Sequence, residues 1–244
     1  MKLDEYQWPC TYGVPFKHQV ETVKFLLRNK NAFIFNGLGS GKTLACAWAS
    51  DILRLNGKIK HVLVVTPLST VYPTWVSTII THMSHREAVA LVGPKQKRLE
   101  ALAKDVMFYV INVDGIKLIE DELVAKKFDV IICDEVTAFS NHTSLRSKAM
   151  QRIAAKSKGV WGLSGTPVAN TPLQAFGIAK VVNPKNPNLP KSFFRFRDMV
   201  CVQGFDGFTW LPRPDHEKVV SQVLSPSIRF RTEDCIDLPP TMYI

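Results

Sequence analysis

The sequence predicts an α/β fold in which a doubly wound, mostly parallel sheet carries helices on both faces. Two features predict it. Six short apolar runs rich in Val and Ile recur along the chain, and stretches of helical periodicity separate them. Runs that are apolar at every position suit strands covered on both faces, and strand–helix alternation implies parallel pairing through helical crossovers. Size agrees: 244 residues, 46% hydrophobic and 21% charged, hold one large α/β domain or two small ones with a full core.

In chain order, a helix is read at 17–29 and the first strand at "NAFIFN" (31–36), followed by a helix over 42–55. "HVLVVTP" (61–67) and "AVALVG" (88–93) are strands, and 95–104 is a helix. "VMFYVINV" (106–113) precedes a helix at 115–126; "FDVIICDE" (128–135) precedes one at 144–157; "GVWGLSG" (159–165) is the last strand of the series. After Asn183 the texture becomes rich in Pro and aromatics without a clear period. We expect 184–235 to be an irregular, aromatic-rich subregion packed on the sheet, with a helix near 215–224. Pro239–Pro240 in "DLPPTMYI" would end an element or begin a linker.

Composition narrows the function classes. The five cysteines lack C-x-x-C spacing, so we read them as reduced and bound neither in disulfides nor to zinc. His82 and His85 in "HMSH" have no further ligands nearby and read as a solvated turn. The opening "MKLDEYQWPC" shows no secretory or transit signal, and no apolar run approaches the roughly 20 residues that span a bilayer. We expect a cytoplasmic protein. The net charge of +10 suits a polyanionic partner such as nucleic acid, and suits simple solubility equally well.

The chemistry begins at "AFIFNGLGSGKT". A strand runs into Gly37-Leu38-Gly39-Ser40-Gly41-Lys42-Thr43 and a helix follows, the context of a phosphate-binding loop. Backbone N–H groups and the helix N-terminus cradle the anion there. Lys42 would reach the β/γ-phosphates of ATP, and the Thr43 hydroxyl would ligate Mg²⁺. Asn36 stands where the strict P-loop pattern has glycine. A second strand ends in paired carboxylates: Asp134 is placed to hold Mg²⁺ and Glu135 to polarise the attacking water. In "VWGLSGTPVANTP", Ser164 and Thr166 follow a third strand, where their hydroxyls can bond the carboxylates and report the phosphate state.

The order GSGKT, DExx, SGTP resembles the first RecA-like lobe of superfamily-two helicases and translocases. It is most similar to the Swi/Snf-related group, particularly helicase-like proteins of phages and prophages. "PFKHQVETVKFLL" resembles that family's adenine-binding segment, with Gln19 in the glutamine position. "VLVVTPLSTVYPTWVSTI" resembles motif Ia, including Pro67, Ser69, Thr70 and Trp75; "DEVTAFSNHTSLRSKAM" resembles the extended motif II, and "LSGTPVANTPLQAF" motif III with its trailing Asn170. "SFFRFRDMV" and "CIDLPPTMY" resemble the stretch leading to the lobe's end, so the likeness runs from about Phe16 to Pro240.

The resemblance implies a P-loop NTPase that hydrolyses ATP with Mg²⁺ to move on nucleic acid, double-stranded DNA more often than RNA. Gln19 would contact adenine, and Gly37, Gly39, Ser40, Gly41, Lys42 and Thr43 would bind phosphate and metal. Asp134 and Glu135 would drive hydrolysis, Ser164 and Thr166 would couple it to movement, and Pro67, Ser69, Thr70 and Asn112 would contact nucleic acid. Four positions depart from the family pattern: Thr137 stands where His is frequent, Ser140 where Lys is frequent, and Asn112–Val113 replace paired threonines. The loop of this superfamily commonly opens on a small non-glycine residue, and Asn36 is larger than that.

The resemblance also sets the domain reading. Residues 1–244 would form a single helicase ATP-binding lobe, with 236–244 starting a linker to a second RecA-like lobe in the same or a companion chain. That lobe would bring the arginines that complete the ATP site, so the isolated chain is expected to be weakly active or inactive. Two other readings stay open: the ATPase half of a phage DNA-packaging terminase, and a non-catalytic nucleotide- or nucleic-acid-binding module. The run Phe193, Phe194, Arg195, Phe196, Arg197, with Phe205, Phe208 and Trp210, is read as packing in preference to base stacking.

Overall fold

The computed structural model describes residues 3–9, 13–166, 168 and 170–231. The expected linker at 236–244, "CIDLPPTMY", Pro167, Cys10 and Cys235 lie outside the described residues. All six predicted strands form: β1 (Asn31–Ile34), β2 (Val62–Thr66), β3 (Ala88–Leu91), β4 (Phe108–Asn112), β5 (Val130–Asp134) and β6 (Gly159–Leu163). Two further strands, β7 (Cys201–Gln203) and β8 (Trp210–Pro212), make a separate antiparallel hairpin, and β9 (Ser227–Ile228) joins the main sheet. The main sheet has seven strands in the order β3-β4-β2-β5-β6-β1-β9, every pair parallel.

The continuous apolar runs are explained by two cores, one on each face. Successive side chains of a strand point to opposite faces. In β5, Ile132 joins one core while Ile131 and Cys133 join the other; in β2, Val62 and Val64 face one way and Leu63 and Val65 the other. Helices α1 (Lys17–Arg28), α2 (Lys42–Leu55) and α3 (Ser77–His82) cover the first face. The second is covered by α4 (Lys95–Ala103), α5 (Glu120–Lys126), α6 (Leu145–Ala154), α7 (Gln174–Val182), α8 (Phe193–Val200) and α9 (His216–Val223). No helix among the described residues is long and apolar enough to cross a membrane.

Three elements differ from expectation. The helix read at 115–126 opens as a 3₁₀ stretch, Val113–Ile119, before α5. Helix α7, "QAFGIAKVV", is buried on nearly all sides, which erases the amphipathic period that announces a helix. The segment expected to be irregular holds α8, the β7–β8 hairpin and β9, while α9 stands where a helix near 215–224 was expected. Within α8, Phe193, Phe196 and Val200 stand at helical spacing and pack into the core, while Phe194 stays exposed. Packing therefore claims only part of the aromatic run. Arg197 lies 3.6 Å from the Trp210 ring centroid, and Phe205 and Phe208 project from the hairpin turn.

Cys46, Cys133 and Cys201 are free and buried, and burial pushes all three thiols up from the ordinary range. No group of potential metal ligands occurs among the described residues. His85 is not merely solvated, because its Nε2 lies 3.0 Å from Oδ2 of the buried Asp51. Arg86 Nε and the Tyr6 hydroxyl also donate to that carboxylate, at 2.6 and 2.7 Å.

Candidate functional site

Register gathers the predicted residues on one edge. Leu163 pairs with Ile34 on one side and Asp134 on the other, so β1, β6 and β5 end side by side. The loop after β1, the carboxylates after β5 and the hydroxyls after β6 thus emerge together at the carboxyl ends of parallel strands, where open α/β sheets bind ligands.

The loop after β1 has the backbone that a phosphate cradle needs. Gly39 and Gly41 adopt φ of 72° and 71°, a left-handed conformation that costs glycine nothing. Gly41 caps α2, and a Cβ there would sit 2.0 Å from Gln19 Nε2. Gln19 is itself fixed, its Oε1 accepting from the Phe16 N–H at 3.0 Å. His18 Nε2 lies 2.9 Å from the Ser40 carbonyl oxygen, tying α1 to the loop a second time. Lys42 Nζ donates to the carbonyls of Asn36 and Gly37 at 2.9 and 2.8 Å, which places the ammonium inside the loop. Ser40 Oγ is buried with no hydrogen-bond partner among the described residues. Such an orphan hydroxyl fits a ligand with acceptor oxygens, as a phosphate has.

The carboxylates hold different stations. Asp134 is half-buried, and its Oδ2 accepts from Trp75 Nε1 at 2.7 Å and Thr66 Oγ1 at 3.1 Å, while Oδ1 takes no donor among the described residues. That free oxygen suits a metal-bound water. Trp75 reaches Asp134 from a π-helical turn, Val71–Val76, that contains Pro73. Glu135 is exposed, with φ of 62°, a strained conformation for a residue with a side chain. Its Oε1 accepts from Ser164 Oγ at 3.0 Å and from Thr137 Oγ1. Ser164 Oγ also lies 2.8 Å from the Thr166 carbonyl oxygen and accepts from the Thr166 N–H at 3.2 Å. The hydroxyl has one proton for two acceptors.

The expected nucleic-acid residues lie together, since Asn112 pairs with Thr66 just before the Pro67–Thr70 turn, but their side chains face different ways. Ser69 is exposed and Pro67 opens the 3₁₀ turn Leu68–Thr70. The Thr70 hydroxyl turns inward, 2.6 Å from Thr66 Oγ1 and 2.9 Å from the Pro67 carbonyl oxygen. Asn112 is buried and accepts from Arg98 at 3.0 Å, so its side-chain oxygen is committed inside the fold. Sequence reasoning missed His18, Thr22, Thr66 and Phe230 as members of this site, and did not anticipate that Trp75 would grip Asp134. Beside the loop an open cleft of about 370 Å³ is lined by Gly37, Leu38, Thr166, Arg229, Phe230 and Arg231. A larger cavity, about 490 Å³ around Lys30 and Lys180, lies away from these motifs; backbone geometry, and not volume, marks the site.

Comparison with known proteins agrees with this geometry. The profile of the SNF2-related domain matches residues 18–217. The chain is 30% identical over 179 residues to putative protein p41 of Acyrthosiphon pisum secondary endosymbiont phage 1, covering 69% of this chain and 38% of that protein. It is 25% identical over 235 residues to the early transcription factor 70 kDa subunit of Yaba monkey tumor virus, covering 93% of this chain and 34% of that one. Among solved structures, the Sulfolobus solfataricus SWI2/SNF2 ATPase core in complex with dsDNA superposes with a TM-score of 0.78 at 17% identity. That match covers 95% of this chain and 47% of the other. The same core domain solved separately gives 0.73 at 18%, covering 98% of this chain and 49% of that chain. The fold is therefore shared with those cores, and the chain spans about a third of the curated relatives and just under half of the solved chains.

Proposed function

The chain belongs to the SNF2-related domain family, and on that premise we propose that it is the ATP-binding lobe of an ATP-dependent motor on double-stranded DNA. The motor works when a second RecA-like lobe, from the same or a companion chain, closes over the site. Residues 1–244 act as one lobe, and 236–244 lead toward the second. The family match draws the reading away from a packaging terminase.

The observation that carries the reading is the meeting of three motifs on one sheet edge, with Ser164 bonded directly to Glu135. Each group then has a task. Gln19 contacts adenine at the base of the loop. The amides of Gly39, Ser40 and Gly41 and the Lys42 ammonium hold the phosphates, Lys42 exchanging two carbonyl contacts for phosphate oxygens, whereas the Gly37 amide is already taken by the Phe230 carbonyl. Thr43 and Asp134 hold Mg²⁺, which supplies neutralisation of phosphate charge when bound. Glu135 orients and deprotonates the attacking water. The Ser164 hydroxyl occupies Glu135 Oε1 while it donates there and leaves that oxygen open to water when it turns to the Thr166 carbonyl. That choice links hydrolysis to the position of the segment after β6.

A path also leads outward. The exposed Ser69 neighbours Thr70, and Thr70, Thr66 and Asp134 form a continuous chain of hydrogen bonds. Nucleic acid at the Pro67–Thr70 turn would therefore press on the metal carboxylate. The net charge of +10 supports a polyanionic partner, and one structural relative was solved with dsDNA. The phage relative supports a place in the cytoplasm of a bacterial host.

The test is nucleotide binding by the parent chain and by Lys42→Ala, followed by DNA-stimulated hydrolysis once a second lobe is joined. We expect weak binding by the parent, none by the variant, and turnover only in the two-lobe form. A parent chain without ATP affinity would point to a non-catalytic module, and robust DNA-stimulated turnover by the single lobe would refute the need for a second.

A further inference from the structure

Resting on that reading, we infer that Asn36 is a positioning residue that ties the strand near the C-terminus to the phosphate loop, so that nucleotide and strand respond to each other. The pairing of β1 with β9 does not stop at Ile228. The amides of Phe33, Phe35 and Gly37 donate in turn to the carbonyls of Pro226, Ile228 and Phe230, at 3.0, 2.9 and 2.9 Å. The ladder thus runs into the first residues of the loop.

Asn36 sits where it ends. The residue is 1% exposed, so both ends of its amide must find partners inside the protein. Oδ1 accepts from the Phe230 N–H at 3.1 Å, a contact across 194 residues, and Nδ2 donates to Thr22 Oγ1 at 3.0 Å. Thr22 donates onward to the His18 carbonyl at 2.7 Å, and the Phe230 ring lies 5.9 Å from the His18 ring. The backbone carbonyl of the same Asn36 receives Lys42 Nζ. One residue therefore joins α1, the C-terminal strand and the phosphate-binding lysine. A glycine or alanine at 36 offers neither side-chain bond. Any movement of 229–231 displaces the carbonyl on which Lys42 rests, and an ordered loop holds 229–231 in place.

Amide hydrogen exchange tests the linkage, with a non-hydrolysable ATP analogue and Mg²⁺ as the probe. In the parent chain the analogue should slow exchange at the amides of 229–231. In Asn36→Ala that nucleotide-dependent gain should disappear, and the analogue's Kd should rise about 3- to 10-fold, the loss of roughly one buried hydrogen bond. Phe230→Pro removes the strand's donor to Asn36 together with the ring beside His18, lies outside the cores, and should also lose the gain, read at the amides of 229 and 231. It carries the test if Asn36→Ala does not fold. Parent-like affinity with an undiminished gain in both variants overturns the inference, as does a parent chain that binds the analogue without slower exchange at 229–231. A parent chain that binds no analogue sinks the functional reading and this inference with it, a result distinct from normal binding by the variants.

Discussion

The two ends of strand β5 carry acids with opposite fates. Asp129, just before the strand, is 14% exposed and saturated: Lys158 Nζ lies 2.7 Å from Oδ1, and the amides of Lys60 and His61 donate to Oδ2 at 2.6 and 3.0 Å. Burial works to raise its pKa, but Lys158 and the two amides outweigh it and hold the carboxyl below the ordinary range. Asp134, at the other end, takes neutral donors on one oxygen and keeps the other open, and Glu135 beside it stands in a strained backbone. One end of the strand uses a carboxylate to close the fold, and the other leaves a carboxylate oxygen without a donor among the described residues. An acid at a strand end is thus informative about function only through the partners it lacks.

Substitutions at the two ends should therefore separate activity from stability. The largest effect is expected from Glu135→Gln in the two-lobe form: hydrolysis falls by about 10²-fold or more as the base is lost, while nucleotide still binds. Steady-state turnover beside equilibrium binding checks this, and parallel loss of both would assign Glu135 to binding. Asp129→Asn should do the reverse, costing about 1–2 kcal/mol of stability in urea melts, less than a fully buried charged pair would, with nucleotide affinity unchanged.

The acid limb sharpens that second effect. A carboxyl whose folded-state pKa is lowered stabilises the fold above its unfolded pKa, about 3.9, and loses that contribution as pH falls through the lower folded value. The stability gap between parent and Asp129→Asn should hold from pH 7 down to about pH 4 and shrink below it. A gap that widens toward acid would show that Asp129 is not the ion-paired group described.

Smaller again, Trp75→Phe keeps an aromatic ring, deletes one donor to Asp134 and leaves a small cavity at a fully buried site. The Mg²⁺ concentration needed for half-maximal turnover should shift about 3- to 10-fold, a change that the lowered melting expected from the cavity would not by itself produce. An unchanged Mg²⁺ dependence would make Trp75 a packing residue only. Least affected should be Asp105→Asn, at the Asp129 end. His61 and Lys60 hold the Asp105 carboxyl at about 2, yet its side chain is 66% exposed, so its removal should leave both melting and binding unmoved.

Much of the fold was legible because its signals are local. Strands buried on both faces read as unbroken apolar runs, and β1 to β6 lie inside the stretches predicted for them. Glycines at 39 and 41 announce a backbone that few other residues adopt, which makes a phosphate loop visible in a single line of sequence. Helix α7 stayed hidden because burial on nearly every side leaves no polar stripe, and Pro73 obscured the turn that carries Trp75. Asn36 was visible as a departure from pattern, but nothing local says that a buried amide meets Thr22 on one side and Phe230 on the other.

The sequence by itself determined the parallel α/β architecture, the phosphate loop with Lys42 and Thr43, and the strand-end carboxylates Asp134 and Glu135. Backbone propensity and hydrophobic period act over a few residues and are written where they act. Only the tertiary structure decided which acid is closed and which is open, that Trp75 grips Asp134 and Ser164 grips Glu135, and that the C-terminal strand ends on Asn36. Those outcomes follow from strand order and register, which bring together side chains 29, 59 and 194 residues apart, and no local pattern encodes that distance.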